Sequence, residues 1–287
     1  MATNPETFPP AESDKLKIYF LPNLLTAGNL FCGFVALTKI VEANLDPDIT
    51  GHVNWMPIKI ALAAILLACI FDLFDGRVAR MGGHESPFGR EFDSLADLVS
   101  FGVAPAFLVH RVVLHNALPD EYAELGWFIA SIYLICGAFR LARFNCLSAM
   151  NLPGAGKDFL GFPIPSAAGL VASLTLLIIH FNEKEKSLGH WGYLLPAVLI
   201  FLSAMMVSEV KYPSFKGLGL RSTTTFSKFI IAAMFVGLMV IFREKILYYV
   251  LPLFFTGYLI YGFVRPHISR AWRREIEEED DEPDAGA

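Results

Sequence analysis

Charge is what this chain has least of. Lys, Arg, Asp and Glu make up 18% of its 287 residues, where a soluble domain carries about 25%. Apolar residues reach 54% and mean hydropathy is +0.49. They gather in long runs that recur along the chain, which argues against a pair of soluble domains and for a polytopic membrane protein. Cysteine is also scarce: Cys32, Cys69, Cys136 and Cys146 lie in or beside apolar runs, with no CxxC pair. That pattern argues against a disulfide framework or a zinc site and reads as small buried side chains. The opening MATNPETFPPAESDK is polar and proline-rich, without the charged-then-apolar pattern of a signal peptide. There is no basic excess. Net charge is −5, and without the eight acids between Glu275 and Asp284 the remainder carries +3. Nucleic-acid binding has no support, and the acidic end reads as a solvated, disordered tail.

What is present in quantity is apolar length. Eight candidate spans run roughly 20–42, 57–78, 93–115, 125–146, 162–181, 190–209, 226–243 and 246–265, each near the ~20 residues a bilayer requires. Their apolar runs are continuous rather than alternating, so the expected fold is all-α: a polytopic integral membrane helical bundle of about eight transmembrane helices. The expected organisation is a polar cytoplasmic segment (1–19), a transmembrane domain (20–265) and a basic-then-acidic cytoplasmic tail (266–287). With the N-terminus inside, sixteen Lys and Arg fall on the cytoplasmic face and seven on the other. This asymmetry favours both termini in the cytoplasm, and it puts the loops that carry chemistry on that same face.

The most informative stretch is FDLFDGRVARMGGHESPFGREFDSLADLVSFG, from Phe71 to Gly102. Asp72 and Asp75 lie at the end of the second span, Asp93 and Asp97 at the start of the third. Residues three or four apart share a helix face, and a short hairpin can bring the two faces together. Four carboxylates converging at membrane depth repel one another and are costly to desolvate. Divalent cations remove that cost, and hard ions such as Mg²⁺ and Mn²⁺ take oxygen ligands. The alternative for each aspartate alone is a polar helix end paired with Arg77, Arg80 or Arg90.

Written as D-x2-D-G-x2-A-R-x8-G-x3-D-x3-D, the segment supplies Asp72, Asp75, Gly76, Ala79, Arg80, Gly89, Asp93 and Asp97 without departure. This resembles the signature of the CDP-alcohol phosphatidyltransferase family. The resemblance implies a two-metal centre, Mg²⁺ or Mn²⁺, held by Asp72, Asp75, Asp93 and Asp97, with Asp97 also the general base. It further implies that Gly76, Ala79, Arg80 and Gly89 line the site of the cytidine diphosphate group.

Four other stretches resemble the membrane-type phosphatidylserine synthases of that family: PNLLTAGNLFCG (22–33), FRLARFN (139–145), FLGFPIPSAAG (159–169) and KYPSFKG (211–217). The implied reaction moves the phosphatidyl group of CDP-diacylglycerol to L-serine in one displacement at phosphorus, releasing CMP. The resemblance also implies a homodimer in the lipid bilayer of the cytoplasmic membrane. Asn23 and Thr26 can reach the nucleotide or cap the first helix. Arg140 and Arg143, one turn apart, can meet the diphosphate, meet the serine carboxylate, or anchor the span at the membrane surface; Lys211 is a similar candidate. Gly161, Pro163 and Pro165 read as shaping the start of the fifth span, and Tyr212 reads either as structure or as site.

Other readings remain. The same donor can serve glycerol 3-phosphate, inositol phosphate or choline. Intramembrane acids can also line a cation transporter's path, although these cluster near one face and no inverted repeat is evident. A purely structural scaffold has no use for four converging carboxylates. No H-x-K-x4-D pair is present, which excludes a phospholipase-D-like route to the same product.

Overall fold

The computed structural model describes residues 20–45, 53–82, 86–114, 123–150, 158–183, 194–213 and 246–265. The polar N-terminal segment, the expected span 226–243 and the acidic tail lie outside the described residues. The chain is an all-α membrane bundle. Its helices are α1 (Phe20–Glu42), α2 (Met56–Gly82), α3 (Pro87–Asp97), α4 (Ala104–Val109), α5 (Ala123–Ala149), α6 (Ile164–Glu183), α7 (Leu194–Val207) and α8 (Leu251–Val264). A π-helical stretch, Leu98–Val103, joins α3 to α4, so that Pro87–Val112 is long and apolar enough to cross a bilayer as one unit. With α1, α2, α5 and α6 it gives five such helices among the described residues; α7 and α8 belong to shorter apolar helices.

The core is graded. In α6, 61% of the apolar window is buried within the protein, against 33% in α1, α2 and α5. Helix α6 is therefore the central post, touching α2, α7 and α8. The outer helices turn Phe31, Phe34, Leu73, Phe128, Phe139, Leu253 and Phe254 outward, the arrangement expected of lipid-facing surfaces. Of the four cysteines only Cys32 is buried and Cys146 is exposed, which corrects the expectation that all four are buried.

Helix α1 packs against α2 along most of its length through the stripe Thr26, Asn29, Gly33, Ala36 and Ile40, a three-and-four spacing that keeps one face inward. Gly33 lets the π-helical stretch approach: a Cβ there would stand 2.9 Å from the Ser100 Cα and closer still to its Oγ. Proline accounts for part of the α3–α4 irregularity. Pro105 has no N–H to give the carbonyl of Phe101, four residues earlier, and the Tyr133 hydroxyl of α5 donates to that carbonyl at 3.1 Å. The span opens six residues before the expected position, because Ser86 caps it by accepting from the Gly89 N–H at 3.0 Å, with Pro87 in the first turn.

One small sheet departs from the all-helical expectation. β1 (Asp158–Leu160) and β2 (Lys211–Pro213) pair antiparallel, Leu160 opposite Lys211 and Phe159 opposite Tyr212. Two of the sequence stretches singled out above thus hold each other. Gly161 follows β1 at φ +78° and donates to the Val210 carbonyl at 2.9 Å. Tyr212 is a packing residue: fully buried, its ring is 5.2 Å from Phe162 and its hydroxyl donates to the Leu259 carbonyl at 3.4 Å. Burial pushes its phenol up to about 12.

Gly161→Ala is expected to destabilise the protein. A Cβ there collides with the Met206 carbonyl oxygen, and the left-handed backbone alone costs about 1–2 kcal/mol. Gly257→Ala, where a Cβ meets nothing within 4 Å, is the control. Thermal unfolding in detergent should fall sharply for the first variant and little for the second.

Candidate active site

Asp72 and Asp75 stand near the C-terminal end of α2, and Asp93 on α3 returns beside them. One carboxylate oxygen from each lies within 4.8 Å of the other two. The arrangement depends on two short-range facts of sequence: the i, i+3 spacing within α2, and a reversal between α2 and α3 closed by the Ser86 cap. Asp75 is 4% exposed and Asp97 6%, so these acids are deep rather than rim groups.

Helix α1 supplies the donors. Thr26 Oγ1 donates to Asp75 Oδ2 at 3.0 Å, and Asn29 Nδ2 donates to Asp97 Oδ1 at 3.0 Å. Asn29 is itself pinned, because Ser100 Oγ of the π-helical stretch donates to its carbonyl at 2.9 Å. Asp97 stands outside the triangle of oxygens, yet within electrostatic range of Asp72, Asp93 and Asp75. Asn23 lies at the opening of α1, where its Oδ1 is 3.4 Å from where a Cβ on Gly89 would sit. Gly76 is half-buried on α2. Ala79 and Arg80 fall in the last turn of α2, and their side chains lie outside the described residues.

On the other flank, α5 meets the π-helical stretch that follows Asp97, and Asn145 Nδ2 of α5 donates to Ser94 Oγ at 2.9 Å. Arg140 of α5 is 7% exposed and within electrostatic range of Asp97 and Asp72. Arg143, one turn on, is held by backbone carbonyls. Its NH1 donates to Val207 at 2.9 Å and its NH2 to the carbonyls of Leu160, Met206 and Ser208 at 3.1–3.2 Å. It closes the C-terminus of α7 and ties it to the β-ribbon. Lys211 is exposed on β2, and its carbonyl accepts from Arg265 NH1 at 3.3 Å.

The buried side-chain atoms without a hydrogen-bond partner among the described residues are Asn23 Nδ2, Asn29 Oδ1, Asp93 Oδ1 and Arg140 Nε. All four belong to the residues just described. Buried polar atoms are ordinarily satisfied, so such a concentration marks a place built for something else to bind. An unpartnered carboxylate oxygen beside two further carboxylates fits a hard divalent cation, and unpartnered amide and guanidinium nitrogens fit anions. Asn29 and Ser100 are absent from the signature. Asn29 had a legible signal all the same: an amide inside an apolar span, one turn from Thr26 on the same face.

The family description that matches this sequence is CDP-alcohol phosphatidyltransferase, over residues 19–210. The chain is 32% identical over 248 residues to the CDP-diacylglycerol–serine O-phosphatidyltransferase of Helicobacter pylori, covering 86% of this chain and 91% of that one. It is 35% identical to the Bacillus subtilis enzyme of the same name, over 69% and 92% of the two chains. To the archaetidylserine synthase of Methanothermobacter thermautotrophicus it is 32% identical, over 69% and 72%.

Titration with Mn²⁺ followed by electron paramagnetic resonance tests the centre without any substrate. Saturable binding is expected, and it should be lost in Asp93→Asn. Thr26→Val, which removes the hydroxyl that bonds both Asp75 and the Pro22 carbonyl, should weaken binding by about 10–100-fold.

Proposed function

The chain belongs to the CDP-alcohol phosphatidyltransferase family, and from that premise we propose that it moves the phosphatidyl group of CDP-diacylglycerol to the hydroxyl of L-serine. The observation that carries the reading is the meeting of the Asp72, Asp75 and Asp93 oxygens within 4.8 Å of one another, flanked by donors of α1 and a guanidinium of α5. The serine acceptor is supported by the names of the bacterial relatives.

Asp72, Asp75, Asp93 and Asp97 would together hold two divalent ions, and Mg²⁺ or Mn²⁺ suits an all-carboxylate donor set. When bound, such ions neutralise the diphosphate and stabilise the charge that builds on the attacking and leaving oxygens. The nucleotide lies on the α1 side, against Asn23, Gly76, Ala79, Arg80 and Gly89, where the Asn23 amide nitrogen awaits an acceptor. Asp97 is the base. Asn29 fixes its Oδ1, so Oδ2 takes the proton of the serine hydroxyl. The serine oxygen bonds to phosphorus as the bond from phosphorus to the CMP oxygen breaks, and CMP departs with the negative charge. Arg140 meets an anion, either the diphosphate or the serine carboxylate. Arg143 holds the wall behind it.

The excess of Lys and Arg on one face supports a cytoplasmic-membrane protein with this end of the bundle toward the cytoplasm. A homodimer belongs to the same proposal, on the family resemblance.

The decisive assay is CMP release from CDP-diacylglycerol by purified protein with Mg²⁺ or Mn²⁺, comparing serine, glycerol 3-phosphate, inositol phosphate and choline. Release with serine, abolished by chelator, is expected. Release with another alcohol alone overturns the acceptor, and no release from folded, metal-binding protein returns cation transport to the front. In the same assay Asp97→Asn should keep donor binding and lose turnover, whereas Asp72→Asn should lose both. Wild-type turnover in Asp97→Asn removes the assignment of the base.

A further inference from the structure

Helix pitch changes immediately after Asp97. The Leu98 N–H donates within ordinary helical reach, to the carbonyls of Ser94 and Leu95. The Ala104 N–H instead reaches back five positions, to Val99. That reach makes a π-turn, which closes a loop one residue longer than an α-turn and is frequent at functional sites. One extra residue offsets everything beyond it by about 100° relative to a regular helix of 3.6 residues per turn. The offset matters because both halves of this span have a fixed face. Asp93 and Asp97 serve the carboxylate cluster, whereas Phe101, Ala104 and Leu108 are fully buried where the span meets α1, α5 and α6. In an unbroken α-helix positions 97, 101, 104 and 108 share one face. The π-turn separates the acids from that apolar face.

Three side chains hold the turn, and none belongs to the aspartate signature. Asn29 of α1 grips it at two points: Nδ2 donates to Asp97 Oδ1 at 3.0 Å, and the Asn29 carbonyl accepts from Ser100 Oγ at 2.9 Å. Asn29 and Ser100 are both fully buried. From the opposite flank the Tyr133 hydroxyl of α5 donates to the Phe101 carbonyl at 3.1 Å. A regular helix would find the donor for that carbonyl at position 105, which is proline and has no N–H. Tyr133 is itself fully buried, and a phenol in an apolar interior is costly without a hydrogen-bond partner. The Phe101 carbonyl is the partner that offsets this cost.

We propose that the π-turn aims Asp97 at the reacting hydroxyl, and that Ser100 and Tyr133 are positioning residues for it, acting through the backbone of the turn. The inference rests on the reading of Asp97 as the base. Ser100 sets where the turn stands against α1. Tyr133 keeps the Phe101 carbonyl satisfied without a donor from the helix itself, so the longer loop persists. Loss of either contact lets the Asp97 end of α3 settle toward regular helix. A base displaced by about 1 Å loses rate while the donor stays bound.

The test is CMP release from CDP-diacylglycerol with serine by the full-length protein at saturating Mn²⁺. The rate is divided by the number of Mn²⁺ centres that electron paramagnetic resonance counts in the same sample. Loss of folded protein lowers both quantities together and leaves their ratio unchanged, whereas a misplaced base lowers the ratio. In Tyr133→Phe, turnover per centre should fall about ten- to a hundredfold, with KM for CDP-diacylglycerol unchanged. Ser100→Ala should behave alike, and it carries the test if Tyr133→Phe does not fold. Pro105→Ala in the Tyr133→Phe background offers the Phe101 carbonyl a backbone donor. Turnover per centre should stay low there, because satisfying the carbonyl within a regular helix does not restore the offset. Wild-type turnover per centre in either single variant overturns the inference. So does its return in the double variant, which would reduce Tyr133 to a partner for one buried carbonyl. Wild-type turnover in Asp97→Asn, or absence of CMP release by the wild type, overturns instead the reading on which the inference rests.

Discussion

Three carboxylate oxygens within 4.8 Å of one another are the constraint around which the bundle is arranged. Like charges at that separation, away from bulk water, repel strongly. The surrounding helices supply compensation at specific atoms. Thr26 and Asn29 donate to Asp75 and Asp97, and Ser100 fixes the Asn29 backbone in turn. Those contacts demand that α1 lie close against the π-helical stretch, which Gly33 permits. The departure from regular helix just after Asp97 belongs to the same arrangement, because it places Ser100 against α1 and frees the Phe101 carbonyl for Tyr133 of α5.

The helical framework was largely legible, because an apolar run of twenty residues has few other uses. The first span is found at 20–42 as expected. The third was placed late because Asp93 and Asp97 look like polar ends, whereas they sit inside the helix and Ser86 and Pro87 start it. The β1–β2 ribbon was hidden, since three residues per strand leave no periodicity. Its two halves were nonetheless both marked as unusual stretches.

Within the site, legibility followed chemistry. Aspartates in an apolar chain announce themselves, and the pairing of Asp72 and Asp75 with Asp93 needed only helix periodicity and a hairpin. The arginines were not separable by sequence. Arg140 and Arg143 share a helix, a spacing and a charge, yet four carbonyls accept from Arg143 while Arg140 keeps an unpartnered nitrogen. What distinguishes them lies in residues 160 and 206–208, far along the chain, which no local pattern reveals.

The Arg143 clamp also orders events in biosynthesis. Thr26, Asn29 and the four aspartates all lie within residues 26–97, so the carboxylate half of the site is synthesised before α5. Arg143 must then wait for residues 206–208 to reach its carbonyl partners. Until α7 is in place, the Arg143 guanidinium of α5 lacks the carbonyls of residues 206–208 that receive it, an unfavourable state in a bilayer. Settling of α5 is thereby coupled to completion of the chain. A nascent bundle holds its acidic half early and closes its basic wall last.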